Sequence, residues 1–268
     1  MPWASSGRRG DELRVFANVR PIRRWTTRTS SPLRPELAEG IDLVFVRELT
    51  GGLYFGAREL SDDRAFDTCI YTRAEVERVA HRAFALARER RGLLCSVDKA
   101  NVLDSSRLWR RVVTEIAADY PDVELSHQLV DSMAMKLVEQ PAAYDVVVTE
   151  NMFGDILSDL AASVGGGIGL APSSSFGAGR PGLFEAIHGS APDIAGTGRA
   201  NPSATILSLA MLLRDLGEHA AAAAIERAVT TTLDAGPVTP DLGGDATTQE
   251  LGSAIARAVA QTPHEVLT

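Results

Sequence analysis

The hydrophobic pattern of the chain switches between short continuous apolar runs and longer segments with helical spacing. The run IDLVFVREL (41–49) is rich in β-branched residues and is typical of a buried strand. In 73–91 the apolar residues recur at three- and four-residue intervals, which predicts an amphipathic helix. The same reasoning predicts further strands at 13–21, 93–97, 123–130 and 144–150, and further helices at 106–120, 131–140, 202–216, 218–234 and 248–261, with one more beginning within 149–159.

Strands that alternate with helices indicate an α/β fold with several parallel strands. The first strand is expected to stop at Pro21, and 22–40 is expected to be a loop with one turn of helix. Residues 161–200 are rich in glycine, proline and serine, and we predict a long loop there. A loop of that length in a compact protein is more often functional than structural.

Composition narrows the classes of protein. The 268 residues carry a net charge of −8 and are 45% hydrophobic, which allows one large domain or two ordinary ones. An acidic chain is a poor nucleic-acid binder, and without about 18 consecutive apolar residues we expect no membrane span. Two cysteines, Cys69 and Cys95, without metal-ligand spacing predict reduced thiols. We expect a cytoplasmic enzyme with a small-molecule substrate.

Charged side chains follow the predicted strands where they end. Arg47 closes the 41–49 run, Lys99 follows the 93–97 strand, and Asp131 follows the 123–130 strand. Ligands of α/β proteins collect at the carboxyl ends of parallel strands. These side chains therefore predict a site at one edge of the sheet.

Asp155 and Asp159 are four residues apart in TENMFGDILSD (149–159), and on a helix they would be neighbours. Two like charges so placed cost about 0.2–0.5 kcal/mol. Together with Asp131 they favour a hard divalent cation, Mg²⁺ or Mn²⁺, as the reason for the pair. The alternative is that both acids face water near a helix N-terminus, where negative charge is stabilising.

Four further residues are candidates for chemistry. Lys99 could act as a base if it is enclosed, or be an ordinary surface lysine. Tyr54 could donate a proton, or be a packed aromatic with a hydrated hydroxyl. Arg20 and Arg47 could hold a substrate carboxylate, or form structural ion pairs.

Two glycine-containing segments bear on a nucleotide site. GGGIG (165–169) fails as a Rossmann fingerprint, because Leu170 replaces the last glycine and the segment follows a helix. HGSAPDIAG (188–196) places an acid, Asp193, in a tight loop, and an acid so placed can hold the ribose hydroxyls of NAD. Nothing in the residues alone forces that interpretation.

The motifs taken together resemble the isocitrate/isopropylmalate dehydrogenase family, in order and in spacing over about residues 13–260. The resemblance implies an α/β, isopropylmalate/isocitrate dehydrogenase-like two-domain fold with a large mixed sheet. It is carried by ANVRP (17–21), RELTGGLYFG (47–56), SVDKANVL (96–103), HQLVDSMAMKLV (127–138), TENMFGDILSD (149–159), PSSSFG (172–177), HGSAPDIAG (188–196), NPSATILS (201–208) and DLGGDATT (241–248).

The ELTGG form resembles the isopropylmalate branch of the family. It implies an oxidoreductase that converts 3-isopropylmalate to 4-methyl-2-oxopentanoate in leucine biosynthesis, with NAD and Mg²⁺ or Mn²⁺. The alternatives are the same chemistry on tartrate or D-malate, and an inactive chain that serves only as a dimerising partner.

The resemblance also implies a role for each matched position in a homodimer with shared active sites. Asp155 and Asp159 would bind the metal with Asp131 of the other subunit, and Asp131 would also contact substrate. Arg20 and Arg47 would hold the substrate carboxylates. Tyr54 would protonate the enolate, and Lys99 from the other subunit would assist deprotonation of the hydroxyl. The NAD contacts would be His188, Gly189, Ser190, Ala191, Asp193 and Asn201.

The chain departs from the family pattern at its beginning. Residues 1–12 look irregular and unlike the family, and its glycine-rich GDGIG turn has no counterpart. We therefore expect an N-terminally truncated member, with 13–165 as the substrate, metal and dimerisation domain and 166–268 as the C-terminal part of the NAD-binding domain. The first part of that dinucleotide-side domain would be missing, and we expect little or no dehydrogenase activity from the chain alone.

Overall fold

The computed structural model describes residues 14–28, 31–179 and 181–262, so the segment 1–12 lies outside the described residues. The strands are β1 (Ala17–Arg23), β2 (Asp42–Glu48), β3 (Arg58–Leu60), β4 (Ala65–Asp67), β5 (Leu93–Asp98), β6 (Glu124–Leu129), β7 (Val146–Thr149), β8 (Pro172–Phe176) and β9 (Leu183–Ala186). The helices are α1 (Pro35–Ala38), α2 (Arg73–Arg88), α3 (Asp104–Ile116), α4 (Val130–Glu139), α5 (Asn151–Gly165), α6 (Ser203–Asp215), α7 (His219–Ala235) and α8 (Thr248–Ala260).

Seven strands form one mixed sheet in the order β6-β5-β7-β2-β1-β8-β9, and β3 pairs with β4 in a separate hairpin. The pairs β2–β7, β5–β7 and β5–β6 are parallel. The backbone bonds from Leu49 to Phe16 and from Arg24 to Ile41 show that β1 and β2 are antiparallel. The predicted α/β fold with several parallel strands is confirmed.

Contacts divide the chain into two compact units, 1–20 with 42–160 and 175–183, and 21–41 with 161–174 and 184–268. The core of the first unit packs α2 and α3 against the sheet through Phe84, Trp109 and Val148. The core of the second packs α6, α7 and α8 around Leu207 and Leu251. The functional roles assigned to 13–165 and 166–268 stay a prediction.

Two of the predicted helices, α2 and α8, begin at a side-chain cap. Thr72 accepts a hydrogen bond from the Glu75 amide before α2, while the Glu75 side chain accepts from the Thr72 amide. Thr247 and Glu250 repeat this capping box before α8. No helix among the described residues is long and apolar enough to cross a bilayer.

Two expectations about local structure were wrong, and one element was not predicted. β1 continues through Pro21 to Arg23, because the fixed φ of proline suits an extended backbone and only one donor is lost. The segment 161–200 contains β8 and β9 in addition to loop. The hairpin of β3 and β4 lacks the alternating apolar pattern of a half-buried sheet, because all six of its strand residues are exposed.

Candidate active site

The register of the parallel strands places the candidate residues at one edge of the sheet. Arg47 on β2 pairs with Thr149 on β7, which also pairs with Val97 on β5. Asp98 at the end of β5 pairs with Leu129 at the end of β6. The segments that follow these strands therefore start at the same edge, which is the carboxyl edge of the parallel strands.

A charged cluster lies at this edge around the first turns of α5. Arg47 Nη1 contacts Asp155 Oδ1, and the Tyr54 hydroxyl donates to Asp155 Oδ2 at 3.2 Å. The Arg47 guanidinium also lies 5.9 Å from the centre of the Tyr54 ring. Burial, and then the neighbouring Asp155 carboxylate, raise the pKa of Tyr54, so its hydroxyl keeps its proton at neutral pH.

Arg20 joins the cluster from β1. Its Nη1 donates to Ser158 Oγ at 2.7 Å and lies 3.5 Å from Asp155 Oδ1 and 3.4 Å from Asp159 Oδ1. Burial, and then repulsion from Arg47, lower the pKa of Arg20 to about 10. The guanidinium still carries its charge at neutral pH and can bind an anion.

The position of Arg20 bears on the unfavourable pairing of Asp155 with Asp159. A guanidinium that contacts both carboxylates offsets their mutual repulsion without any metal ion. Burial, with the nearby Asp155, nevertheless raises the pKa of Asp159. The repulsion alone therefore does not require a cation, although the two carboxylates remain the oxygen donors that Mg²⁺ or Mn²⁺ prefers.

Lys99 and Asp131 form a separate ion pair, with 2.7 Å between Lys99 Nζ and Asp131 Oδ1. The hydrogen bond from Lys99 lowers the pKa of Asp131. Within the part of the chain that the structure describes, no group of three or more His, Cys, Asp or Glu residues could hold a metal ion. Asp131 therefore does not complete a three-ligand site with Asp155 and Asp159 in one chain.

The turn that carries Tyr54 is built on a buried acid that the sequence analysis did not single out. Glu48 accepts hydrogen bonds from the amides of Thr50 and Gly51 at 3.0 and 2.7 Å. It also forms an ion pair with Arg78 at 3.1 Å. Burial outweighs these contacts and raises the pKa of Glu48. No single-sequence signal marks it, since Glu48 follows Arg47 as an ordinary polar residue at a strand end.

Two asparagines were also missed. Asn18 Oδ1 accepts from Arg20 Nε at 2.6 Å, and Asn151 Oδ1 accepts from Arg47 Nε at 2.9 Å. Both asparagines are buried. Each stands in a quoted motif, ANVRP and TENMFGDILSD, yet neither chain position alone reveals which arginine it contacts.

The candidate nucleotide residues lie in the second unit. His188, Gly189, Ser190, Ala191 and Asp193 belong to one largely exposed loop, and Ala191 takes a left-handed φ of 42°. Nothing stands within 4 Å of a Cβ built on Gly189, so the loop is open there.

Asn201 is buried, unlike the residues of that exposed loop. It donates to Asp241 at 3.0 Å and accepts from the Ser203 amide at 2.9 Å. Its contact with NAD, like the other cofactor contacts, stays a prediction.

Comparison with known proteins defines the class. The sequence profile described as isocitrate/isopropylmalate dehydrogenase matches residues 9–255. The chain belongs to this family of oxidoreductases, as the motifs predicted.

Particular relatives point to one branch. The chain is 54% identical over 256 residues to the 3-isopropylmalate dehydrogenase of Zymomonas mobilis, covering 92% of the chain and 73% of the relative. It is 53% identical over 249 residues to that of Lactococcus lactis, covering 92% and 72%.

Solved structures agree with the fold. The isocitrate dehydrogenase from Methylococcus capsulatus superposes with a TM-score of 0.85 at 42% identity, covering 92% of this chain and 74% of that one. The TT0538 protein from Thermus thermophilus gives a TM-score of 0.89 at 37% identity, covering 98% and 53%. The predicted isopropylmalate/isocitrate dehydrogenase fold is confirmed.

Proposed function

We propose that the site of this chain is that of an enzyme for the NAD-dependent oxidative decarboxylation of 3-isopropylmalate to 4-methyl-2-oxopentanoate in leucine biosynthesis. The observation that carries the proposal is the convergence of Arg20, Arg47 and Tyr54 on Asp155, in a chain that is 54% identical to an enzyme of that name. A dianionic 2-hydroxy acid is bound by paired guanidinium groups, its reaction needs a proton donor, and the metal ion needs carboxylate ligands. The cluster supplies all three.

In the proposed reaction, Arg20 and Arg47 bind the two substrate carboxylates through their Nη donors. Lys99 of the other subunit takes the proton of the 2-hydroxyl, and NAD⁺, when bound, would accept the hydride of that carbon. Carbon dioxide then leaves from the β-keto acid, and Tyr54 donates a proton to the carbon that carried the lost carboxylate. The raised pKa of Tyr54 suits this role, because only a protonated phenol can donate.

Asp155 and Asp159 of one subunit and Asp131 of the other would hold Mg²⁺ or Mn²⁺. The donor set fits, because carboxylate oxygens are the ligands that both ions prefer, and Asp159 is about half exposed to an incoming ion. A divalent ion bound there would supply Lewis-acid polarisation of the substrate oxygens. Arg20 and Arg47 contact Asp155 through Nη1, and their Nη2 donors would bind the substrate carboxylates.

For the cofactor we propose NAD, bound by the loop that contains His188, Gly189, Ser190, Ala191 and Asp193, together with Asn201. The exposed Asp193 carboxylate would accept from the adenosine ribose hydroxyls and repel a 2′-phosphate. The left-handed backbone at Ala191 and the open space beside Gly189 support close approach of a ligand to this loop.

We further propose a homodimer with shared sites, with no nucleic-acid or membrane partner. Asp131 is 63% exposed and outside the Asp155 cluster, so a second copy is needed to bring a third carboxylate. Large apolar side chains on α4 and α5 support an interface there, since Met135 and Ile156 are 57% and 60% exposed. Light scattering coupled to size-exclusion chromatography should give twice the mass of one chain.

The function is tested by titrating Mn²⁺ and then 3-isopropylmalate into the purified chain, and by following NADH at 340 nm. Tartrate, D-malate and isocitrate are run in parallel. Binding and turnover that favour 3-isopropylmalate support the proposal. A preference for tartrate or D-malate would assign the chain to the enzymes that act on that substrate. Binding without turnover would identify an inactive partner chain. Absence of Mn²⁺ and substrate binding contradicts the proposal.

A further inference from the structure

In each of the two arginines of the cluster, the Nε atom donates to the side chain of an asparagine. Arg20 Nε donates to Asn18 Oδ1 at 2.6 Å, and Arg47 Nε donates to Asn151 Oδ1 at 2.9 Å. All four residues are buried, with exposed fractions of 8%, 4%, 6% and 1% for Arg20, Asn18, Arg47 and Asn151. The arrangement occurs twice at one site, once from β1 and once between β2 and α5.

A contact at Nε has a geometric consequence for the rest of the guanidinium. The group is planar and its five N–H donors form a rigid fork. When Nε is bonded to a fixed oxygen, rotation about the last side-chain torsion is restricted, and the Nη atoms have a fixed direction. In both arginines Nη1 faces the Asp155 carboxylate, where the substrate is proposed to bind.

The asparagines can provide this fixed oxygen because their amide nitrogens are also bonded. Asn18 Nδ2 donates to Ser175 Oγ at 2.9 Å. Asn151 Nδ2 donates to the carbonyl oxygens of Leu49 and Gly51, at 3.1 Å each. The orientation of the Asn151 amide is unambiguous, since a guanidinium only donates and a backbone carbonyl only accepts.

Asn151 makes one more contact through its backbone. Its backbone amide donates to the Tyr71 hydroxyl at 2.9 Å, and that hydroxyl lies 3.3 Å from the Glu150 carboxylate. One residue therefore connects Arg47, the start of α5 and the backbone at 49–51.

We propose that Asn18 and Asn151 are matched positioning residues, which hold Arg20 and Arg47 with their Nη donors directed at the two carboxylates of the substrate. The inference rests on the proposed function, because it assigns the dianion to that cluster. It adds two residues that touch neither substrate nor cofactor and act through the arginines. Asn151 would in addition set the position of Tyr54.

The test compares Asn18→Ala and Asn151→Ala with the unmodified chain, by calorimetric titration of 3-isopropylmalate in saturating Mn²⁺. A hydrogen bond to a charged group is lost in each variant, and we expect the Kd to rise about 10- to 100-fold. Where turnover is measured, the KM should rise more than kcat falls for Asn18→Ala. For Asn151→Ala both should change, because Tyr54 is displaced as well.

A double-mutant cycle separates positioning from a general structural effect. Lysine has no Nε–H of the guanidinium kind, so in an Arg20→Lys background the Asn18→Ala change should have little further effect on the Kd. Asn151→Ala in the same background should keep its full effect. Full additivity of Asn18→Ala with Arg20→Lys would overturn the proposal for that pair.

The matched control is Asp145→Asn, at the opposite end of β7. Asp145 is buried and bonded to Arg90 Nε at 2.7 Å and to the Arg91 amide at 2.8 Å, so its loss should lower the melting temperature without changing the Kd. If an alanine variant does not fold, the serine variant at that position takes its place.

The outcomes distinguish this inference from the proposed function. Failure of the unmodified chain to bind 3-isopropylmalate contradicts the function. Normal binding by the unmodified chain and by both asparagine variants overturns the positioning role alone. An equal loss of binding in Asp145→Asn would also overturn it, since stability would then explain the effect.

Discussion

Lys99 Nζ lies 2.7 Å from Asp131 Oδ1, so the candidate base and a candidate metal ligand form one ion pair. The two residues follow the ends of β5 and β6, which are paired in register at Asp98 and Leu129. Lys99 and Asp131 lie together and do not contact Asp155, so both would reach a shared site from the same subunit. This geometry favours the proposal that both are contributed to the active site of the other subunit.

Mixed dimers test whether Lys99 acts across the interface. Lys99→Met should lower kcat by about 10²- to 10⁴-fold, as expected for loss of a general base. Asp155→Asn should be equally inactive, because a proposed metal ligand is lost. When the two variants are co-expressed, half of the random dimers are mixed and each has one intact site. We expect about a quarter of the activity of the unmodified dimer, measured as NADH formation.

The control is Lys99→Arg, which preserves the ion pair with Asp131 but cannot serve as the base at neutral pH. It should behave like Lys99→Met alone and in the mixture. If co-expression gives no recovery, Lys99 and Asp155 belong to the same subunit's site and the shared arrangement is wrong.

Glu48 makes the stability of the turn at 49–52 dependent on pH. Its folded-state pKa is raised above 4.5, chiefly by burial. The folded chain therefore binds a proton in a window above pH 4.5 where the unfolded chain does not, and stability rises as the pH falls through that window. Glu48→Gln lacks this contribution. We expect the variant to be about 1–3 kcal/mol less stable at neutral pH, and the difference to widen toward pH 4.5 in urea unfolding.

Asp122→Asn provides a comparison of opposite sign. The hydrogen bond from Arg88 lowers the pKa of Asp122 below 3.8, so its contribution to stability is present above that pH and is lost in more acidic solution. A Glu48 difference that stayed constant or narrowed on acidification would show that burial does not dominate at Glu48.

Gly154 is placed where α5 meets the aliphatic stem of Arg47. A Cβ at this position would lie 2.8 Å from Arg47 Cγ and 2.9 Å from Arg47 Cβ. Gly154→Ala should therefore displace Arg47 and raise the KM for substrate about 10-fold or more, as expected when a charged contact is lost. The usual gain from replacing a helical glycine should not appear.

Gly252→Ala in α8 is the matched control. Its new Cβ would meet only Pro202 Cγ at 3.8 Å, an ordinary contact. We expect it to stabilise the chain by about 0.5–1 kcal/mol in thermal unfolding and to leave the KM unchanged. A normal KM for Gly154→Ala would show that the Arg47 stem moves aside without cost.

The elements with a strong period were predictable from the sequence, and those built on polar contacts were not. The helical spacing of Val76, Val79 and Phe84 identified α2, because a helix buries one face. β8 is PSSSF, which has no apolar pattern. Its Ser175 is buried and accepts a hydrogen bond from Asn18, a partner 157 residues away along the chain. No local pattern contains that information.

The same distinction holds at the candidate site. Single residues such as Tyr54 could be named from their motifs, whereas their mutual arrangement depends on pairs that are far apart in sequence. Arg20 reaches Asp159 across 139 positions, and Glu48 meets Arg78 across 30. A buried polar residue is recognised as part of a site only when its partner is known, which is why Asn18, Asn151 and Glu48 were missed.

Cofactor preference should reverse when the charge of the nucleotide loop is reversed. Asp193 is exposed in the loop, and its carboxylate would repel the 2′-phosphate of NADPH. Asp193→Lys with Ile194→Tyr replaces the carboxylate by a cation and adds a phenolic hydroxyl that can donate to a phosphate. We expect the Kd ratio of NADPH to NADH, from fluorescence titration, to fall by about 10- to 100-fold, since like charges in contact cost several kcal/mol. Glu218→Lys makes the same change of charge on an exposed site at the start of α7 and should leave the ratio unaltered. An unchanged ratio in the double variant would place the adenosine ribose away from Asp193.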